Sequence, residues 1–310
     1  MDKNPLLIIL GPTASGKTRL AVTMADRFSG EIISADSRQV FRGMDIGTGK
    51  DLEEYTLNGV AIPYHLINIR DAGEQYNVNA FKNDFYTVFN KLTGAKRLPI
   101  LCGGTGMYIH SLLQNHHYTS IPVNQSLRDS LPAHDIDALR SILATYPKLA
   151  TSHADLSSAK RIIRAIEIAD YLGHYSFIEE VRPVIDPLVI GLTGELELRR
   201  SRILKRLNER FEQGLIEEVE GLLREGVSAG TLIFYGLEYK FVTSYLLNEL
   251  SYDELKEKLY IAICQFAKRQ MTFFRKMEKD GVVINWLDTA MDLEAQEAAL
   301  SSLYLEKFVG

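Results

Sequence analysis

The sequence predicts an α/β fold: a mainly parallel sheet with helices on both faces, plus a small helical insertion domain. Three observations predict it. Short apolar runs at residues 6–10, 31–35, 64–69 and 98–102 each end in Gly-, Asp- or Ser-rich loop chemistry, as buried strands do. Helical spacing of apolar residues fills 18–28 and 78–92 between them, the βαβ rhythm that places strands parallel. From about residue 116 to 154 the texture turns polar, with Pro122, Pro132 and Pro147 and little strand signal. A core of 1–114 and 155–310 and an insertion of 115–154 follow from that change. Further along, 160–172 reads as helix and 187–192 as another buried strand. One long amphipathic helix is expected over 196–223, its apolar face set by Leu204, Leu207, Phe211, Leu215, Val219, Leu222 and Leu223. Helices are expected over about 240–248, 252–258 and 259–279, and a last strand over 282–287.

Composition narrows the class. The 310 residues are 46% hydrophobic and 24% charged, which excludes a disordered chain. No apolar run approaches the ~20 residues a membrane helix needs, and the apolar run before Gly11 is too short for a signal peptide. Two cysteines, Cys102 and Cys264, make neither a disulfide framework nor a four-cysteine zinc site, and no His-x-x-x-His pair occurs. A cytoplasmic protein without a membrane partner is expected, and a monomer. Lys plus Arg is 35 against 40 for Asp plus Glu, a formal charge of −5, so nonspecific wrapping of DNA is not expected. Local basic grooves remain compatible with that, because fields act within a Debye length of about 10 Å at 0.1 M salt. Lys160, Arg161 and Arg164 form one cluster; Arg199 to Arg210 supply a second; Lys268, Arg269, Arg275 and Lys276 form a third.

The first apolar run leads into Gly11-Pro12-Thr13-Ala14-Ser15-Gly16-Lys17-Thr18, a G-x-x-x-x-G-K-T phosphate loop between a predicted strand and a predicted helix. The fold expected is therefore P-loop NTPase-like. Glycines let successive N–H groups turn toward one anion, and the helix N-terminus adds partial positive charge. Lys17 brings a point charge to the outer phosphate, and the Thr18 hydroxyl is placed to hold Mg²⁺ bridging the phosphates. The loop binds a polyphosphate; the motif does not say whether that is ATP. At the next strand end Asp36 suits a Mg²⁺ ligand, a general base or a helix cap. A glycine-rich loop follows at 42–50. After the strand at 98–102 come Gly103-Gly104-Thr105-Gly106, where Thr105 is placed to hydrogen-bond a phosphate or a base.

Together these pieces resemble the tRNA dimethylallyltransferases, also called tRNA isopentenyltransferases. The resemblance rests on the phosphate loop, on Ile33-Ser34-Ala35-Asp36-Ser37-Arg38-Gln39-Val40-Phe41 and on Gly43-Met44-Asp45-Ile46-Gly47-Thr48. It continues through Gly103-Gly104-Thr105-Gly106-Met107-Tyr108, Arg161-Ile162-Ile163-Arg164-Ala165-Ile166-Glu167 and Lys268-Arg269-Gln270-Met271-Thr272-Phe273-Phe274-Arg275, in family order over nearly the whole chain. It implies transfer of a dimethylallyl group from dimethylallyl diphosphate to N6 of the adenosine 3′ to the anticodon, in tRNAs reading codons that begin with U. It also implies that the loop holds the diphosphate rather than ATP, with Mg²⁺ assisting, and that Asp36 takes the proton of the adenine amine. By the same resemblance Arg210 matches an arginine that stabilises the leaving diphosphate, and Thr13 and Ser15 line the reacting groups. Ser37, Arg38, Gln39 and Thr105 would touch the flipped base of the anticodon stem-loop. Lys160, Arg161, Ile162, Ile163 and Arg164, with Lys268, Arg269 and Arg275, would bind the rest of the tRNA. The chain departs from the family where many members carry Gly-Tyr-Lys: it has Tyr235-Gly236-Leu237-Glu238-Tyr239-Lys240. A small-molecule kinase or an adenylate prenyltransferase is the alternative.

Overall fold

A computed structural model describes residues 4–114, 117–152, 154–178 and 180–310. Its strands are β1 (Asn4–Leu10), β2 (Gly30–Ser34), β3 (Thr56–Leu57), β4 (Val60–Ala61), β5 (Tyr64–His65), β6 (Leu98–Gly103), β7 (Ile185–Thr193) and β8 (Asn285–Asp288). Six of them form one sheet in the order β5-β2-β6-β1-β7-β8, and every neighbouring pair is parallel. β3 and β4 form a separate antiparallel hairpin. The expected α/β class is thus present, and the reason is visible in β1. Leu6, Ile8 and Leu10 enter the cluster that holds Phe81, Phe85, Phe89 and Phe274, whereas Leu7 and Ile9 enter the opposite one with Leu20, Ala21 and Leu300. A strand buried on both faces reads as a continuous apolar run.

Element boundaries depart from the sequence expectations in several places, among them the last strand, which covers Asn285–Asp288 rather than 282–287, and an unexpected helix Ala229–Tyr235. The strand expected over 64–69 stops at His65, because Leu66 and Asn68 adopt left-handed backbone with φ of 61° and 57°. The single helix expected over 196–223 is two, Leu196–Glu212 and Leu215–Arg224, separated at Gly214 with φ of 100°. The two helices expected between 252 and 279 are one continuous helix, Tyr252–Lys279, opened by a capping box between Ser251 and Glu254. Beyond the last expected strand a helix Leu293–Phe308 follows and packs Leu300 into the core.

The chain divides into two compact units, Met1–Gln114 with Pro183–Gly310, and Asn115–Arg182. The second is larger than the expected 115–154. Helix Ala159–His174 belongs to it, because Ile162, Ala165 and Ile166 make one apolar cluster with Leu139 and Leu143 of helix Ile136–Leu143. In the first unit a third cluster packs the helices after β7 against Val40, Phe41 and Met44. That packing brings helices Leu196–Glu212, Leu237–Leu246 and Tyr252–Lys279 against the loop that follows β2. Among the described residues no helix is long and apolar enough to cross a membrane.

Candidate active site

The phosphate loop leaves β1 at Gly11 and enters helix Lys17–Arg27. Ala14 (φ 59°) and Gly16 (φ 81°) turn the backbone through the left-handed region. The N–H groups of residues 14–18 consequently make no hydrogen bond among the described residues. Lys17 folds back, its Nζ donating to the Pro12 carbonyl at 3.3 Å, and the buried Ser15 hydroxyl has no partner. Burial, with Arg206 adding to it, pushes the Lys17 ammonium down, and Asp36 and Glu54 oppose that shift. Cys102 itself is pushed up to about 12 by burial, so its thiol stays neutral. Unpaired N–H donors around a half-buried cation describe an anion site.

Gln270 fixes this loop from the far end of the chain. Its Oε1 accepts the Thr13 N–H at 2.9 Å, and its Nε2 donates to the Gly104 carbonyl at 3.0 Å. One side chain on helix Tyr252–Lys279 therefore ties the loop after β1 to the loop after β6. Asp36 follows β2 at the same carboxyl edge of the sheet. Its Oδ1 accepts the Arg38 N–H at 2.8 Å, the local turn expected of a capping aspartate. Its other oxygen has no hydrogen bond among the described residues. Thr105 Oγ1 accepts the Ser37 N–H at 3.1 Å, and Gln39 joins Ser34 to the Gly49 carbonyl. Arg38 donates to the Phe234 carbonyl at 3.1 Å, its guanidinium 5.7 Å from the Phe234 ring centre.

Helix Leu196–Glu212 supplies two cations four residues apart. Arg206 pairs with Asp51 and reaches the Gly49 carbonyl at 3.3 Å. Arg210 is buried; its Nη1 donates to Glu238 at 3.1 Å, and its Nε has no partner. Burial first, and then Arg206, push the Arg210 guanidinium down, while Glu238 raises it. The guanidinium lies against Gly49, where an added Cβ would fall 1.8 Å from Nη2.

These groups enclose a cavity of about 380 Å³ lined by Thr13, Lys17, Thr18, Asp36, Ser37, Arg38, Gln39, Thr105 and Arg210, all expected from the sequence. Gly11, Pro12, Ala14, Ser15 and Gly16 build the loop itself. Arg206, Tyr55, Phe234, Glu238 and Gln270 also line the cavity and were given no site role by the sequence. The i, i+4 spacing of Arg206 and Arg210 was the available signal for the first, and for Glu238 it was its place in the segment 235–240 where the chain departs from the family pattern. Outside the cavity, Lys268, Arg269 and Arg275 stand exposed on helix Tyr252–Lys279. On helix Ala159–His174, Lys160 and Arg161 are exposed and Ile163 is half-buried. Ile162 requires correction: its side chain is fully buried in an apolar cluster, which removes it from any nucleic-acid surface. Arg164 donates to the carbonyls of Tyr118, Pro122 and Ile121 and pairs with Glu167, so it holds its own unit together.

A divalent ion would find few protein donors here, the Thr18 hydroxyl and the open oxygen of Asp36 among them. The Thr18 hydroxyl lines the cavity and makes no hydrogen bond among the described residues, and no group of three or more His, Cys, Asp or Glu stands there to ligate a metal. That donor set fits Mg²⁺ held mainly by phosphate oxygens and water rather than by a protein cage.

Comparison with known proteins agrees with this arrangement. A family model described as IPP transferase matches residues 39–277, and one described as isopentenyl transferase matches 4–70. A curated tRNA dimethylallyltransferase 2 of Phocaeicola vulgatus is 50% identical over 294 residues, spanning 95% of both chains. A tRNA dimethylallyltransferase 1 of Porphyromonas gingivalis is 50% identical over 299 residues, 96% of this chain and 99% of that one. Among solved structures, a tRNA isopentenylpyrophosphate transferase of Bacillus halodurans superposes with a TM-score of 0.73 at 30% identity, covering 98% and 97% of the two chains. A eukaryotic dimethylallyltransferase acting on tRNA shares the fold, with a TM-score of 0.74 at 21% identity over 98% of this chain and 78% of the other.

Proposed function

The chain belongs to the IPP transferase family, and from that premise we propose that it is a tRNA dimethylallyltransferase acting on the adenosine 3′ to the anticodon in tRNAs reading codons that begin with U. The carrying observation is one cavity that holds an anion cradle of unpaired N–H donors beside an aspartate with an open carboxylate oxygen. Adenine N6 attacks C1 of the dimethylallyl group, the C1–O bond to diphosphate breaks, and the N6 proton passes to the open oxygen of Asp36. The amine is a poor nucleophile, so removing its proton as the new bond forms is what the base contributes. Charge grows on the departing diphosphate. The N–H groups of residues 14–18, Lys17 and Arg210 are preorganised to meet it, in a setting where burial strengthens each contact. Mg²⁺, held by Thr18 and the phosphates, would supply further charge neutralisation there. Ser37, Arg38, Gln39 and Thr105 border the base, with Phe234 presenting an exposed ring for stacking. The enzyme works in the cytoplasm, as a monomer, on the anticodon stem-loop.

The test incubates the protein with Mg²⁺, radiolabelled dimethylallyl diphosphate and either unmodified tRNA, AMP or no acceptor. Label is expected in tRNA. Label entering AMP alone, or ATP consumed without transfer, would overturn the reading in favour of an adenylate prenyltransferase or a kinase. In the same assay Asp36→Ala is expected to keep tRNA affinity and lower turnover by about 10²-fold or more; equal loss of binding and rate would mark the aspartate as merely structural.

A further inference from the structure

We propose that Glu238 is a positioning residue for Arg210: its carboxylate holds Nη1 and so sets where the rest of the guanidinium presents its donors to the departing diphosphate. This rests on the function proposed above and concerns the segment in which the chain departs from its family's Gly-Tyr-Lys pattern. The pair lies at 3.1 Å, with side chains only 9% and 18% exposed, inside the reaction cavity. On its other side Arg210 lies against the backbone of Gly49, and its Nε is buried without a partner. An arginine clamped between a carboxylate and a backbone, with a donor left over, has its orientation fixed before substrate binds.

Both jaws of that clamp hang on one anchor. The carboxylate of Glu218 accepts the N–H groups of Asp45, Ile46 and Gly47, which lead directly to Gly49. It also accepts the hydroxyl of Tyr239 at 2.6 Å, the residue after Glu238. The floor under Arg210 and the carboxylate beside it are therefore held in register by a single group. Glu238 has an electrostatic task as well. Arg206 repels Arg210 from one turn away, and Glu238 is the counterion bonded to Arg210. Without it the guanidinium is a buried charge free to swing toward Asp51 or solvent.

The experiment measures kcat and KM for Glu238→Ala, Glu238→Gln, Arg210→Ala and the two double variants, with tRNA and dimethylallyl diphosphate. Glu238→Ala is expected to lower kcat about tenfold with KM for tRNA unchanged. Glu238→Gln, which keeps an oxygen to accept from Nη1, should lose only about threefold. Neither change should slow the Arg210→Ala enzyme further, because a residue acting through Arg210 has nothing left to orient. Wild-type turnover in Glu238→Ala, no rescue by glutamine, or effects that add in full to Arg210→Ala would each overturn the proposal. Should Glu238→Ala fail to give a cooperative melt, the glutamine variant carries the same additivity test. A wild type that transfers nothing to tRNA overturns the function itself, whereas an active wild type with an indifferent Glu238→Ala overturns only the role of Glu238.

Discussion

Position 49 shows how much a single side chain, or its lack, can settle. Gly49 has φ of 60°, and a Cβ there would enter the Arg210 guanidinium. In Gly49→Ala the backbone strain costs about 1 kcal/mol, too little to unfold the chain, but Arg210 must move. We expect kcat to fall at least about tenfold with a modest drop in melting temperature. A variant with intact turnover and lowered stability would show that the contact serves folding alone. The sequence displays Gly49 as one of several loop glycines; nothing in it says that an arginine 161 positions later needs the space. Asp36 is the opposite case. The cap was legible and is present, since Oδ1 accepts the Arg38 N–H, and the other oxygen makes no hydrogen bond, which leaves it open to the proposed role as base.

Elements were legible where a period or a run carries them. The apolar runs of β1, β2, β6 and β7 announce strands buried on both faces, and the phosphate loop between β1 and its helix needs no tertiary partner to be read. The misread boundaries depend on backbone conformations that composition does not show, such as Gly214 splitting one amphipathic pattern into two helices. Helix Ala159–His174 was read correctly as helix and incompletely as surface. Its arginines suggested nucleic acid, yet the helix is organised around a buried Glu167 whose side chain has no exposure. Arg128 binds Glu167 through Nε and Nη2, both at 2.8 Å, and Asn124 donates its N–H at 2.9 Å. Burial acts to raise the Glu167 carboxyl, but these bonds, with Arg164, hold it below its usual value. Its contribution to stability is therefore full above the ordinary carboxylate pKa and disappears as pH falls through the depressed folded value. Glu167→Ala should destabilise Asn115–Arg182 by about 3 kcal/mol, since removing one partner strands Arg128 and Arg164. Thermal melts at pH 7 and pH 3 would check both statements: a variant that matched wild type at neutral pH would refute the first, and a variant as acid-sensitive as wild type the second.

At the scale of the whole molecule, a net charge of −5 must be reconciled with an RNA substrate. The parallel sheet resolves part of it, because the loops after β1, β2 and β6 converge at one carboxyl edge, where Lys17, Arg38, Arg206 and Arg210 concentrate. Helix Tyr252–Lys279 adds a second set of cations beside it. Phe266 and Gln270 line the cavity, and the same helix exposes Lys268, Arg269 and Arg275 to solvent, with Arg269 set 5.9 Å from the Phe266 ring centre. Contacts from such cations to phosphates release counterions, and each lowers the slope of log affinity against log salt by roughly 0.7–0.9. Replacing all three by alanine should therefore flatten that slope by about 2 for tRNA, weaken binding at low salt, and leave kcat at saturating tRNA close to wild type, because none of the three lines the cavity. The measurement is tRNA affinity over a series of KCl concentrations for the two proteins. An unchanged slope would mean that these cations face solvent only and that the tRNA backbone is gripped by another part of this acidic surface.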